Sequence, residues 1–425
     1  MFEEFSFGNF RSFKDIQTLN MTSAKITSSN PVLDKENIIP IEGDVSLLKS
    51  KAIYGANASG KSNVIKALGT FIKIIRNSMK EENVLLMIDS FQLSTDTVKQ
   101  PTFFQLVFRI ENIRYRYGFE ADDKSLKSEW LFATPNKREL PLFIRENDKI
   151  IKIDNKHFNE GFLYQKLFEN SEEQIFRDNS LFLSHLASTG FGKLSKKIIN
   201  TITSITIISG LGHQGMYNIA GDFLTDPTKK KFIVELLKKA DIGIGDLEIV
   251  EIFKEDLQPN IEDENEPKRK IIVSSRPLYD KDFTKQGTAK FSFGTQESEG
   301  SKKMFELSPF IYNSLKEGTT LVIDEFDSRF HPLLTKKIIE LYNSNQNKNA
   351  QLIFTTHDTN LLSAELLRKD QIDFVEKDKY GASHLYTLVE IKGIRNNASF
   401  EKDYIQGKYG AIPFLGNFSN LLNAE

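Results

Sequence analysis

The chain contains no cysteine. That excludes disulfides, thiol nucleophiles and cysteine-ligated zinc, and it suits a reducing, cytoplasmic setting. No apolar run reaches about 18 residues, so nothing is expected to span a membrane. The opening MFEEFSFGNFRSF is acidic and aromatic, without a basic stretch followed by an apolar one, so no secretory leader is expected. Charge of one sign is not in excess either: 56 Lys and Arg face 58 Asp and Glu, for a net charge of −2. A polyanion-binding protein that is basic as a whole is thereby excluded, and nucleic acid would need a local patch. Lys229–Lys231, Arg114 and Arg116 are the only hints of one. There is a single tryptophan, Trp130, against 34 phenylalanines, which read as core filling. His157, His185, His213, His331 and His384 show no metal-ligand spacing. A length of 425 residues exceeds what one ordinary core needs, so one composite domain with a large insertion, or two domains, is expected.

What is present is a complete phosphate-binding loop. Residues 55–62 read Gly-Ala-Asn-Ala-Ser-Gly-Lys-Ser and fit Gly-x-x-x-x-Gly-Lys-Ser without mismatch. From ordinary glycine frequencies, a chance match in a chain this long is roughly a one-in-fifty event. The context is also right, because the apolar run Ala52-Ile53-Tyr54 precedes the loop and a helical stretch from about Ser62 to Met79 follows. Glycines let backbone N–H groups wrap an anion, and the helix N-terminus favours negative charge. Lys61 would reach the β- and γ-phosphates and the Ser62 hydroxyl would hold Mg²⁺.

Along the chain, residues 2–20 read as two short strands around Asn9-Phe10-Arg11-Ser12. From 101 to 154 the apolar period is two. Phe104, Leu106, Phe108 and Ile110 share one face; Ile113, Tyr115, Tyr117 and Phe119 share another, with Arg114 and Arg116 opposite. Further strands are expected at 127–133 and 141–153, giving an antiparallel sheet. Residues 160–240 read as mainly helical, including Lys193 to Ile208. Residues 255–270 read as a charged, solvated loop, with a partner-docking element as the sharper alternative, and short strands resume over 271–294. The last third alternates helix 302–316, strand 319–323, helix 333–344, strand 351–355, helix 359–368 and strand 371–376. That alternation predicts α/β with a mostly parallel sheet.

Three further segments complete a candidate nucleotide site. Thr319 to Ile323 form an apolar strand that ends in Asp324 and Glu325. Asp324 would orient Mg²⁺, and Glu325 could polarise an attacking water. Alone, such an ending would read as a solvated acidic turn; after an intact phosphate loop it reads as chemistry. Gln296 to Lys303 open a helix, where Ser298, Gly300 and Ser301 form a second anion-binding element. One nucleotide rarely needs two clamps, so this one would serve the nucleotide of a second subunit. The plain alternative is a helix cap made by Ser301. Finally, Ile353 to Asp358 place His357 after the next strand, where it could touch the γ-phosphate.

The order of phosphate loop, Ser-x-Gly-Ser helix, strand ending Asp-Glu and strand ending His resembles that of the ATP-binding-cassette (ABC) ATPases, in their SMC, RecF and OLD branch. Asn9 to Lys14 resemble the N-terminal strand motif of RecF-like proteins. Gly55 to Asn63 share the branch's Gly-x-Asn-x-Ser-Gly-Lys-Ser form, and Ile323 to Pro332 its Asp-Glu and D-loop pattern. Tyr404 to Pro413 look like the end of small bacterial AAA-type ATPases of the RloA kind, including the ATPase subunit of PARIS-type phage-defence systems.

The resemblance implies an α/β fold: an ABC-type P-loop head from 1–100 and 290–425, an antiparallel β subdomain over 101–160 and a mainly helical insertion over 161–289. It implies ATP and Mg²⁺ as cofactors. Gly55, Asn57, Ser59, Gly60, Lys61, Ser62 and Asn63 would contact nucleotide, with Ser298, Gly300, Ser301 and Asp327 acting across a dimer. Ser62 and Asp324 would serve the metal, with Gln92 as the candidate for the family's metal-contacting glutamine. Glu325 would be the base and His357 the switch. Glu299 replaces the first glycine of the transporter-type signature. The partners implied are further copies of the chain and a separate effector, a nuclease or toxin, in anti-phage defence. A DNA-binding repair ATPase and an ATP-binding scaffold with little turnover are the alternatives.

Overall fold

The computed structural model describes the whole chain except residues 44, 168–176, 191, 213, 241–242, 253–268, 397 and 414–425. The chain divides into two compact units. The first comprises Met1–Ile207, Gly318–Asp324 and Ile339–Glu425; the second comprises Ile208–Glu317 and Glu325–Ile338.

The first unit is built around a parallel sheet. Its central strand, Ser50–Gly55, is buried along its whole length and lies between Gln351–Thr355 and Ile372–Lys377, parallel to both. Thr320–Asp324 pairs parallel with Gln351–Thr355 on the far side. Ser383–Thr387 closes one edge antiparallel, and Thr206–Ser209, within which the first unit ends, lies at the other. Strands covered on both faces read as continuous apolar runs, as Leu321-Val322-Ile323 and Leu352-Ile353-Phe354 do. The α/β expectation is met here. Because these strands run the same way, Gly55, Asp324 and Thr355 all come at carboxyl ends, the side of an open α/β sheet where ligands bind.

A second sheet is antiparallel, with seven strands in the order Lys149–Ile153, Leu140–Glu146, Leu126–Thr134, Ile113–Ala121, Thr102–Ile110, Phe2–Gly8 and Gln17–Asn20. The helix Lys61–Asn77 follows the phosphate loop and buries Val64, Ile65, Leu68, Phe71, Ile72 and Ile75, a helical stripe. These side chains form one core with Ile53, Val322 and Ile353 of the parallel sheet and Phe5, Phe104 and Phe119 of the antiparallel one. Phe71 stacks on Phe119 at 5.5 Å and tilts against Phe5 at 5.5 Å. Truncating such a residue to alanine costs about 3–5 kcal/mol. The loop is therefore backed by a helix locked between two sheets.

The second unit holds a three-stranded antiparallel sheet, Asp246–Ile252, Arg269–Tyr279 and Lys285–Ser292. Among the helices that accompany it are Gln214–Phe223, Pro227–Lys239 and Glu299–Glu317. Asp226 caps the second through Thr228 and Lys229 N–H, with Pro227 in the first turn. The third contains Pro309, which has no N–H for the Phe305 carbonyl. Ser308 Oγ donates to that carbonyl at 2.6 Å instead, so the helix continues.

Several elements differ from the sequence reading. Residues 101–207 group with the phosphate loop, and 208–317 form the bulk of the other unit. The expected three-part division is replaced because the antiparallel strands share their sheet with Phe2–Gly8. The region 161–289, expected to be mainly helical, carries a three-stranded sheet. The helix from Lys193 stops at Thr203, and Thr206–Ser209 is a strand. The helix expected over 359–368 is a single 3₁₀ turn, Thr359–Leu361. Arg368 is drawn instead into a buried ion pair with Asp370 at 2.8 Å and onto Asp34 at 2.5 Å, which holds its backbone extended. The charged loop read over 255–270 falls almost wholly outside the described residues, as does His213.

Candidate functional site

The phosphate loop owes its shape to backbone that other residues cannot follow. Gly60 has φ +115, and a Cβ there would lie 2.6 Å from Ser383 Oγ and 2.8 Å from Ser12 Oγ. Ala58 holds φ +60 without being glycine. Ser383 Oγ donates to the Ser59 carbonyl at 2.6 Å, and Ser383 N–H donates to the Ser12 carbonyl at 2.7 Å. Asn63 Nδ2 donates to Ser12 Oγ at 2.9 Å, so this asparagine braces the loop from behind. The N-terminal motif thus acquires a role. Asn9 (φ 49) and Arg11 (φ 50) make a tight turn, buried Phe10 and Phe13 anchor it, and Ser12 is delivered to the loop. Asn57 stays exposed.

Lys61 is buried and its ammonium donates to the carbonyls of Gly55 at 2.8 Å and Ala56 at 3.0 Å, curling within the loop. Ser62 Oγ donates to Asp324 Oδ1 at 3.2 Å. Thr355 Oγ1 donates to the same oxygen at 2.6 Å. The strand register explains the meeting: Ile323 is abreast of Phe354, and Thr355 is abreast of Ile53, two residues before Gly55. Ser59 Oγ is buried and has no hydrogen-bond partner among the described residues. An unsatisfied buried hydroxyl inside an anion-binding loop fits a phosphate, and a hydroxyl facing a carboxylate at the sheet's carboxyl edge fits Mg²⁺. His357 follows Thr355 and Thr356 and is exposed. The Asp358 N–H donates to Thr356 Oγ1 at 3.0 Å, shaping the turn that carries the histidine.

Gln92 does not join this set. Its amide donates to the carbonyl and hydroxyl of Ser90 at 2.9 and 3.0 Å, and among the described residues no hydrogen bond links it to the loop or to Asp324. The segment carrying it is tied to the N-terminal turn, through Asn9 Oδ1 and Phe91 N–H at 3.1 Å.

The remaining candidates lie in the second unit. Ser298, and not Ser301, caps the helix Glu299–Glu317: Ser301 N–H donates to Ser298 Oγ at 3.1 Å, and the two hydroxyls are 2.9 Å apart. Ser301 itself is buried. Gly300 packs tightly, since a Cβ would lie 3.3 Å from the Arg329 carbonyl. Glu299 pairs with Lys302 at 3.1 Å and Arg329 at 3.0 Å, and its carboxyl is held below the usual range chiefly by the Lys302 hydrogen bond. Glu325 has φ 54, and its carbonyl accepts from Ser328 N–H at 3.2 Å, opening the turn that contains Asp327.

Lys303 was not legible in the sequence. It is 2% exposed, donates to the Phe326 carbonyl at 2.8 Å and to the Ser328 carbonyl, and stands 4.2 Å over the Phe330 ring. Burial lowers its pKa to about 8, against the opposing pull of Asp327. It fixes the turn after Glu325 to the helix that Ser298 caps. Thr355, Ser12 and Ser383 were also missed. Each is a common residue type whose meaning is its neighbour in space.

The basic hints are largely spoken for. Arg114 pairs with Glu3 at 2.9 Å, Arg116 with Glu139 at 2.6 Å, and Lys230 with Asp246 at 3.0 Å. No described helix is long and apolar enough to cross a membrane.

No curated protein matches the chain. Among solved structures it is similar to the SMC head domain from Thermotoga maritima, with 13% identity, a TM-score of 0.43, and coverage of 91% of this chain and 98% of that one. A head domain with an extended coiled coil, bound to the C-terminal domain of ScpA derived from Pyrococcus furiosus, is similar at 12% identity and a TM-score of 0.42, covering 96% and 98%. Likeness at this level bears on neither activity nor partners. The profile of one family, described as "AAA domain, putative AbiEii toxin, Type IV TA system", matches residues 52–363, well over half the chain. With its phosphate loop, its Asp324 strand and its parallel sheet, the chain belongs to this family of P-loop ATPases.

Proposed function

We propose that the protein binds ATP with Mg²⁺, hydrolyses it between two copies of the chain, and uses the cycle to control a separate effector in anti-phage defence. The observation that carries the nucleotide reading is the convergence of Ser62 and Thr355 hydroxyls on Asp324, beside the unsatisfied Ser59 hydroxyl. Backbone N–H groups of residues 57–62 and Lys61 would bind the phosphates, while Ser62 and Asp324 would hold the metal. Mg²⁺, when bound, supplies charge neutralisation on the phosphate oxygens. Glu325 would orient a water for in-line attack on the γ-phosphorus and accept its proton as the ADP oxygen leaves. His357 would contact the γ-phosphate.

Ser298 and Gly300, with Asp327, would complete the site on the second copy. A closed pair is then favoured only while the γ-phosphate is present, because those contacts exist in that state alone. The family description, which names a toxin system, supports a defence role, and the effector would be a nuclease or toxin on another chain.

The test is complementation. Lys61→Ala and Ser298→Arg are each purified, shown to be inactive, and mixed under conditions that allow subunit exchange. One mixed site is then intact in both halves. Recovered ATP turnover is expected. An active Ser298→Arg protein on its own would reduce Ser298 to a helix cap and remove the shared-site reading.

A further inference from the structure

The motif Tyr404 to Pro413 has no part in the nucleotide site, yet the structure gives the segment leading into it a distinct chemistry. Residues 391–395 and 398–409 contribute to a groove of about 570 Å³ lined by Lys392, Arg395, Lys402 and Lys408, with Asp403 as its acid among the described residues. Asp403 is already engaged, by Lys408 at 2.5 Å and by the Tyr409 hydroxyl at 3.2 Å. Lys392, Arg395 and Lys402 are exposed. Lys402 adds to the pull, chiefly the Lys408 hydrogen bond, that holds the Asp403 carboxyl below its usual range. That leaves Lys392 and Arg395 as the cations of this concavity without an ion pair among the described residues, in a chain of net charge −2.

The groove is also held in shape. Lys369 Nζ donates to the Ile394 carbonyl at 2.7 Å and to Asn396 Oδ1 at 3.0 Å, tying down the loop that carries Lys392 and Arg395. Phe374 stacks on Tyr404 at 5.4 Å and tilts against Tyr409 at 5.8 Å. The Tyr386 hydroxyl donates to the Tyr409 carbonyl at 2.7 Å, and that of Tyr404 to the Ala411 carbonyl at 3.0 Å. Gly410 holds φ +71, where a Cβ would lie 2.7 Å from the Tyr386 hydroxyl. The tail motif is thus the scaffold of the groove. The same scaffold reaches the nucleotide site, since Tyr404 packs on Tyr54, the residue before the phosphate loop, at 6.0 Å. Glu401 accepts from Thr359 Oγ1 at 3.2 Å, two residues beyond His357.

We propose that this groove is an anion site separate from the phosphate loop and the Ser298 element, which takes a small molecule carrying two or more phosphate groups. Its volume lies in the range of small-ligand pockets, roughly 300–1,000 Å³. Lysine and arginine donors recognise phosphate, and the one carboxylate of this groove among the described residues, Asp403, is held by Lys408 and Tyr409. A nucleic-acid strand needs a longer basic track, and the other basic clusters, at Arg114, Arg116 and Lys230, are neutralised by ion pairs.

The test uses the full chain with Lys61→Ala, which disables the phosphate loop, and inorganic tripolyphosphate as probe in isothermal titration. Adding Lys392→Gln, Arg395→Gln and Lys402→Gln should weaken binding by about tenfold or more, as expected for loss of several charge-assisted hydrogen bonds. Amide exchange should slow across 391–409 when the probe is added to the Lys61→Ala protein. These side chains are exposed, so the fold should survive, and an unchanged melting curve would verify it. Unchanged affinity in the quadruple variant, protection confined to 55–63, or no binding at all would each overturn the proposal. So would binding of duplex DNA, lost with the three cations, by a protein indifferent to tripolyphosphate.

Discussion

The phosphate loop and the Ser298 helix start, the two candidate nucleotide-binding elements, differ in how their polar groups are used. In the first unit the phosphate loop leaves the Ser59 hydroxyl buried and without a hydrogen bond among the described residues, and its Ser62 hydroxyl meets that of Thr355 on one oxygen of Asp324. In the second unit the Ser298 hydroxyl is consumed by its own helix, and Glu299 by Lys302 and Arg329. The first element buries a hydroxyl that has no hydrogen bond among the described residues; the exposed Ser298 hydroxyl of the second accepts from its own helix. On the proposed shared-site reading, nucleotide is expected to bind first to the loop of one copy, with the Ser298 element adding its contacts on closure. Leaving a buried polar group unpaired costs about 1–3 kcal/mol, a cost that a phosphate bound on the proposed reading would offset.

Four substitutions test this contrast. Glu325→Gln has the largest expected effect. Turnover should fall by about 10²–10⁴, the usual contribution of a general base, while ATP affinity persists. A phosphate-release assay beside a nucleotide-binding titration measures both, and normal turnover would assign the base elsewhere. Lys61→Ala should weaken ATP binding by about 100-fold, because charge-assisted hydrogen bonds to phosphate are lost. An unaltered affinity by fluorescent-nucleotide titration would break the comparison at its first term. Thr355→Val removes one of the two hydroxyls on Asp324 at nearly constant volume. About a tenfold rise in the Mg²⁺ concentration needed for half-maximal turnover is expected, on the scale of a hydrogen bond to a charged group.

The smallest effect concerns pH. Burial lowers Lys303 to about 8 from an ordinary value of 10.5. Between those limits the unfolded chain binds the extra proton and the folded one does not, so stability gains from this group as pH rises from about 8 to about 10.5. The charged form carries its full burial penalty below about 8. Melting curves across that window should show the wild type gaining relative to Lys303→Met. A constant difference would mean that Lys303 keeps its proton throughout.

Legibility followed the range of the interactions involved. The loop, its helix and the strand to Asp324 were readable because each is a contiguous pattern with its own mechanism. Apolar alternation gave Phe104, Leu106 and Phe108, and all three are buried. The 359–368 segment failed because a helical apolar pattern lost to Arg368, whose guanidinium finds Asp34 from more than 300 residues away. The cap was misplaced by one turn between two serines, since either could accept the same class of N–H. Gln92 was chosen by position along the chain, and its local bond to Ser90 could not be anticipated.

The sequence by itself determined the chemistry of the nucleotide loop, because glycine, lysine and serine act there through backbone freedom and charge that no distant residue can supply. It also determined the layered α/β order, through periods of two and 3.6. Tertiary structure alone decided that Thr355 would share Asp324 with Ser62, that Ser12 and Ser383 would brace the loop, and that Lys303 would be buried. It alone gathered Lys392, Arg395 and Lys402 around one groove. Hydroxyls and ammonium groups carry no periodic signature, and their meaning comes from whichever carbonyl, carboxylate or empty space the packed chain puts within about 3 Å.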